Sequence, residues 1–121
     1  ETAAAQLDRV RAPYNTNLIA QAAALAALRD VEHVERSKRF NRIERDFLRN
    51  QLESLNFQVL ASVANFLLLI AGDSMRLYER LVPFGIITRP MEASNMPEGL
   101  RVTIGTHEEN IALIDALKSL L

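Results

Sequence analysis

The sequence predicts an α+β domain in which a small, mostly antiparallel sheet packs against long helices. Residues 100–104 alternate between apolar and polar side chains, which is the pattern of a half-buried strand. Residues 66–71 form a continuous apolar run, which predicts a central strand near 65–71 that is covered on both faces. Stretches with helical periodicity precede and follow these strands. The chain of 121 residues is long enough for one such domain with a hydrophobic core.

Three helices are predicted before the first strand, and the first two of them are shorter than the third. Residues 1–13 carry apolar side chains at helical spacing: Ala4, Leu7 and Val10. Pro13 should end this short helix because proline lacks the amide hydrogen that a helix needs. Asn17 is a good N-cap for a second helix near 18–29. Alanine and leucine lie on nearly every face of that helix, which indicates a buried rather than an amphipathic helix.

A long helix is predicted near 34–55, within a stretch that starts at Val31. One stripe of it is apolar: Phe40, Ile43, Phe47, Leu52 and Leu55. The remaining surface is charged: Glu35, Arg36, Arg39, Arg42, Arg45, Asp46 and Arg49. This surface could be a phosphate-binding patch. We favour a solvated, ion-paired face, because acids and bases alternate at spacings of about three and four residues.

The remaining elements follow in order: a strand near 65–71, a helix near 74–83, a strand near 85–88, a loop over 90–98, a strand near 100–104 and a helix near 107–120. The loop is predicted because it contains two prolines and lacks periodicity. Thr106 is the expected N-cap of the last helix. Glu109 stands three residues later, which is the pattern of a capping box.

Composition argues against several classes of partner. The net charge is -1 and the sequence pI is about 6.2, so neither nucleic acid nor an acidic membrane surface is an expected partner. No apolar run reaches the roughly 18 residues that span a membrane. There is no cysteine, and neither His33 nor His107 has a second ligand at metal-binding spacing. We therefore predict no metal site.

Arg101 stands out on the polar side of the strand 100–104, close to the start of the last helix. A planar guanidinium near the positive end of a helix suits the capture of a planar carboxylate. For an isolated arginine, a solvated position on the strand would be the commoner explanation.

Four motifs lie in order along the chain: Pro-Tyr-Asn-Thr-Asn at 13–17, Ser-Val-Ala-Asn-Phe at 62–66, Gly-Ile-Ile-Thr-Arg-Pro at 85–90, and Leu-Arg-Val-Thr-Ile-Gly-Thr-His-Glu-Glu-Asn at 100–110. Together they resemble the C-terminal part of histidinol-phosphate aminotransferases. These are pyridoxal-phosphate enzymes of fold type I, in the aspartate aminotransferase superfamily. The resemblance implies that residues 15–121 are the C-terminal small domain. Residues 1–14 would be a remnant of the large domain or its connecting segment.

The resemblance also implies roles for two arginines. Arg101 matches the arginine that holds the substrate carboxylate, and Arg89 matches the arginine that contacts the substrate phosphate. If their strands lie side by side, both guanidinium groups can reach one dianionic ligand. The full-length parent would be a cytoplasmic homodimer of histidine biosynthesis. It would use pyridoxal phosphate to transfer an amino group between histidinol phosphate and 2-oxoglutarate, which becomes glutamate.

The catalytic lysine of such an enzyme is not expected in this chain. Pyridoxal-phosphate chemistry needs a desolvated lysine amine. Lys38 lies among charged residues of the long helix, and Lys118 lies near the end of the last helix. We therefore predict no catalytic, cofactor-binding or metal-binding residue here, and no activity for the chain alone.

Three alternatives remain open at this stage. Within the superfamily, the parent could be an aromatic amino-acid aminotransferase or a threonine-phosphate decarboxylase. In another class, the chain could be a free-standing α+β module that binds anions.

Asn65 has two possible roles. It is either a strand-edge residue whose side chain caps a nearby backbone group, or a residue that lines the substrate site of the parent enzyme. We favour the cap.

Overall fold

The computed structural model describes residues 2–11, 14 and 16–121, which divide into two units, residues 1–35 and 36–121. The first unit contains helices α1 (Ala3–Val10) and α2 (Leu18–Arg29). Asn17 caps α2, since its Oδ1 accepts from the amide of Ala20 at 2.8 Å, so the predicted cap and helix are confirmed. No described residue of α1 or α2 is buried, so the prediction of a buried helix near 18–29 was wrong for this chain. Pro13, the predicted end of the first helix, lies outside the described residues.

Helix α3 runs over Val31–Ser54 and therefore begins three residues before the predicted start near residue 34. The earlier start of the helix is explained by the residue that precedes it. Asp30 acts as an N-cap, because its Oδ1 accepts from the amide of His33 at 2.9 Å.

The second unit is built on a four-stranded antiparallel sheet. Its strands are β1 (Gln58–Val59), β2 (Phe66–Ile70), β3 (Arg89–Met91) and β4 (Met96–Thr103), in the order β1-β2-β4-β3. The predicted α+β class and antiparallel sheet are confirmed. The two-residue strand β1 was not predicted, because a strand that short leaves no alternation to detect.

One face of the sheet carries the core. Leu67 lies opposite Val102, and Leu69 lies opposite Leu100, and all four are buried. Helices α3, α4 (Ser74–Leu81) and α5 (His107–Leu120) supply the other large buried residues: Leu48, Leu52, Leu81, Leu113, Ile114 and Leu117. The other face carries Phe66, Leu68 and Ile70, which are only partly buried. The prediction that this strand is covered on both faces was therefore wrong for one of them.

The predicted strand at 85–88 was wrong in position. Helix α4 passes into a 3-10 turn at Val82–Phe84, and Gly85 ends it with φ of 76°. The amide of Ile86 then donates to the carbonyl of Leu81 at 3.3 Å, so it closes the helix instead of entering the sheet. The strand begins later, at Arg89.

The predicted loop at 90–98 is mostly a hairpin. Strand β3 leads through a 3-10 turn at Glu92–Ser94 into β4, and Asn95 adopts φ of 55° at the turn. Pro90 is tolerated because β3 is an edge strand, where a missing amide hydrogen leaves no ladder bond unmade.

Candidate functional site

Strand register places the two predicted arginines side by side. Arg89 on β3 is the direct cross-strand partner of Arg101 on β4, and Leu68 on β2 lies opposite Arg101 on the other side. Directly opposed residues of antiparallel strands project from the same face, with Cα atoms roughly 4.5–5.5 Å apart. Both arginines therefore belong to the face of the sheet that does not carry the core. Strands β3 and β4 therefore lie side by side, which is the condition under which both guanidinium groups could reach one ligand.

The paired arginines have no acidic partner in the described part of the chain. Arg89 is exposed and Arg101 is partly buried. Across residues 2–11, 14 and 16–121, no carboxylate oxygen lies within 4.0 Å of either guanidinium group. Like charges directly opposite each other destabilise a strand pair. An anion bound between the two groups would remove that repulsion, so the arrangement is suited to anion binding.

Arg101 has one aromatic neighbour on the same face. Its Cζ lies over the ring of Phe66, 5.1 Å from the ring centroid. This distance lies within the range of a cation–π interaction.

The junction between β4 and α5 is held by side-chain hydrogen bonds. Glu109 Oε2 accepts from the amide of Thr106 at 2.7 Å, and Thr106 Oγ1 accepts from the amide of Glu109 at 3.3 Å, so the predicted capping box is confirmed. Asn110 is 2% exposed. Its side chain accepts from the amide of Gly105 at 3.1 Å and donates to the carbonyl of Gly105 at 3.2 Å. Strand β4 is thereby fixed to the first turn of α5.

A buried carboxylate on α3 completes this junction. Glu44 is 7% exposed, and its Oε2 accepts from Asn110 Nδ2 at 3.0 Å and lies 3.2 Å from His107 Nδ1. The ring of His107 lies 4.6 Å from that of Phe47. Sequence analysis missed Glu44 and Asn110 as structural residues. The available signal was that Glu44 falls at helical spacing from Phe40 and Phe47, within the apolar stripe of α3.

Two arginines on the charged face of α3 lie outside the ion pairs that the described residues form. Arg39 and Arg42 are exposed, and within the described ranges neither has a carboxylate oxygen within 4.0 Å. Arg45 instead donates through Nη1 to the carbonyl of Ala64 at 3.3 Å. It therefore fixes the loop that leads into β2.

Asn65 does not act as the predicted cap. Its backbone carbonyl accepts from the amide of Ile104 at 2.9 Å, which continues the ladder between β2 and β4. In the part of the chain that the structure describes, its exposed side chain makes no hydrogen bond.

An open cavity of about 360 Å³ lies beside the arginine pair, between residues 85–88 and 102–105. The cavity is lined mainly by apolar side chains, and the hydroxyl of Thr88 is buried without a hydrogen-bond partner. Neither Arg89 nor Arg101 lines this cavity. The arginines thus lie on the open face of the sheet and outside this cavity.

The lysines of this chain do not fit the role of a cofactor-bound lysine. Lys118 is 53% exposed and lies 3.8 Å from Asp115, and Lys38 lies on the exposed part of α3. The chemistry needs a desolvated amine, and both lysines are exposed. Among the described residues, no helix is both long and apolar enough to cross a membrane, and no group of three or more acidic or histidine side chains could hold a metal ion.

Comparison with known proteins places these features in a family. The model of the family "Aminotransferase class I and II" matches residues 1–117. The chain is 38% identical over 117 residues to a histidinol-phosphate aminotransferase of Caldicellulosiruptor saccharolyticus, with 96% of this chain and 33% of the relative covered. It is 40% identical over 115 residues to that of Methylobacillus flagellatus, with 95% of this chain and 31% of the relative covered.

Solved structures agree with the sequence matches. The crystal structure of the histidinol-phosphate aminotransferase from Clostridium acetobutylicum superimposes with a TM-score of 0.78 at 26% identity, and the match covers 97% of this chain and 37% of that one. The chain thus spans about a third of the length of the relatives that it matches. This chain belongs to the class I and II aminotransferase family.

Proposed function

We propose that this chain is the substrate-binding small domain of a pyridoxal-phosphate-dependent aminotransferase that acts on histidinol phosphate with 2-oxoglutarate as the amino acceptor. The observation that carries the proposal is the direct cross-strand pairing of Arg89 with Arg101, with no carboxylate of the described chain to neutralise either group. The names of the relatives support the choice of substrate.

The chemistry of the two substrates explains why two arginines are useful. In histidinol phosphate, the phosphate is carried by the carbon next to the one that bears the amine. In glutamate, that neighbouring carbon is the carboxylate itself. One guanidinium can bind a carboxylate through two parallel hydrogen bonds, and a second one adds charge for a dianionic phosphate. We assign the carboxylate to Arg101, and the phosphate to Arg89 together with Arg101.

The rest of the enzyme lies outside this chain in the proposal. Residues 15–121 form the small domain, and residues 1–14 belong to the connection with the large domain. The large domain supplies the lysine and the pyridoxal phosphate, so the chain alone should not transaminate. The full-length protein would be a cytoplasmic homodimer. When it is bound, the cofactor supplies the electron sink that amino-group transfer requires. The residues of this chain bind and orient the anionic end of the substrate.

The test is the change Arg89→Ala in the full-length protein that contains this chain. It should raise KM for histidinol phosphate about 10- to 100-fold, because a charge-assisted hydrogen bond contributes roughly 1.5–3 kcal/mol and 1.4 kcal/mol is tenfold. KM for glutamate should change much less. The matched control is Arg42→Ala, an exposed arginine on α3 that should leave both values unchanged.

Each result of this experiment separates the proposal from one alternative. Equal effects of Arg89→Ala on both substrates would contradict its role in phosphate binding. A wild-type preference for aromatic amino acids would indicate an aromatic aminotransferase, and release of CO2 from threonine phosphate would indicate a decarboxylase. A full-length gene product no longer than this chain, without transamination, would leave a free-standing anion-binding module.

A further inference from the structure

We propose that Phe66 is a positioning residue that holds the guanidinium of Arg101 in place for anion binding and keeps it apart from Arg89. The inference deepens the proposed function and rests on it, since it needs Arg101 to bind the substrate anion. It adds a residue that touches no substrate and acts through Arg101.

Strand register places Phe66 where it can act on Arg101. Phe66 on β2 lies opposite Thr103 on β4, two residues beyond Arg101 along the same strand. It is therefore the diagonal neighbour of Arg101 on the same face of the sheet, a separation that an aromatic side chain can bridge. The distance of 5.1 Å from Arg101 Cζ to the ring centroid places the two side chains in contact. Phe66 is partly buried, so the sheet supports its ring.

The side chain of Phe66 has no hydrogen-bonding group, so its contact with Arg101 leaves the N–H donors of Arg101 available for an anion. A guanidinium can stack its flat face on an aromatic ring, and its N–H donors then point outward in its own plane. A carboxylate or phosphate approaches along that plane and accepts two parallel hydrogen bonds. The ring thus restrains a side chain that otherwise has many rotamers, and it does not compete with the anion.

The position of Phe66 relative to Arg89 also affects where the guanidinium of Arg101 lies. Strand β4 lies between β2 and β3, so Phe66 and Arg89 are on opposite sides of Arg101. Attraction to the ring therefore draws the guanidinium toward β2, away from the like charge on β3. The two arginines are held apart before the ligand arrives, which leaves a space for one anion between them.

The test compares Phe66→Leu with Phe66→Tyr in the full-length protein. Phe66→Leu keeps an apolar side chain but removes the ring. KM for both histidinol phosphate and glutamate should then rise about two- to thirtyfold, the range of a cation–π contribution. The value of kcat should change less than KM. Phe66→Tyr keeps the ring and should retain wild-type KM. If Phe66→Leu does not fold, Phe66→Met gives the same comparison.

A double-mutant cycle with Arg101→Gln separates this proposal from the one on which it depends. If Phe66 acts through Arg101, adding Phe66→Leu to Arg101→Gln should raise KM no further. A full additional rise in the double variant, or a wild-type KM for Phe66→Leu, would overturn the role of Phe66 alone. An unchanged KM for Arg101→Gln would overturn the proposed function itself.

Discussion

The side chain of Asn110 makes several of the hydrogen bonds that hold the junction between β4 and α5. Its amide group makes hydrogen bonds to both backbone groups of Gly105 and to the carboxylate of Glu44, and it is 2% exposed. Gly105 follows the strand that carries Arg101. A buried polar group that loses its partner costs free energy, because water cannot replace that partner. The stability of the strand that presents Arg101 therefore depends on Asn110.

The change Asn110→Ala should lower the free energy of unfolding by about 2–4 kcal/mol, since it leaves the Gly105 backbone groups and Glu44 without this partner. Chemical denaturation would measure the loss. The matched control is Asn50→Ala on the exposed side of α3, which should stay within about 0.5 kcal/mol of the wild type. Equal stability of the two variants would show that the buried hydrogen bonds do not support the junction.

At the scale of the element, α5 begins with acidic residues that suit its N-terminus. Glu108 and Glu109 lie in its first turn. Hydrogen bonds from the backbone amide of Glu108 and, to a smaller extent, from the Thr106 hydroxyl lower the pKa of the Glu108 carboxyl below its ordinary value. A carboxylate with a lowered pKa in the folded state stabilises that state while it is ionised.

The contribution of the Glu108 carboxylate to the stability of the folded chain decreases at acidic pH. The contribution of Glu108 is fully present above the ordinary glutamate pKa of the unfolded chain, and it is lost as pH falls through the lowered pKa of the folded chain. The change Glu108→Gln should therefore cause a small decrease in Tm at neutral pH and none in strong acid. Thermal unfolding across this pH range, with Glu79→Gln in α4 as a control, would measure it. A decrease in Tm that is the same at every pH would exclude an electrostatic origin.

The elements also show which features the sequence could predict. The capping box at Thr106 and the helix at 18–29 depend on local contacts, and both were predicted correctly. The strand at 85–88 was misplaced because the amide of Ile86 is used by the preceding helix, a choice that local alternation does not reveal. The same limit applies to Phe66, whose contact with Arg101 follows from the register of β2 against β4.

At the scale of the molecule, the second unit has one covered and one open sheet face. Helices α3, α4 and α5 contribute to the buried cluster on one face, while Arg89, Arg101 and Phe66 belong to the other. Both arginines were singled out through sequence motifs, and their roles stay predictions. The buried network of Glu44 and Asn110 was not, because it joins helices far apart in sequence. The chain spans about a third of the length of the relatives that it matches.

The most direct test of the central claim is NMR of this chain with 15N-labelled arginine, titrated with inorganic phosphate at constant ionic strength. The Nε–Hε signals of Arg89 and Arg101 should shift together with one dissociation constant, because both groups bind the same anion. The exposed Arg42 and Arg76 report non-specific effects and should shift much less. Separate dissociation constants for Arg89 and Arg101, or shifts no larger than those of the two controls, would contradict a shared anion site.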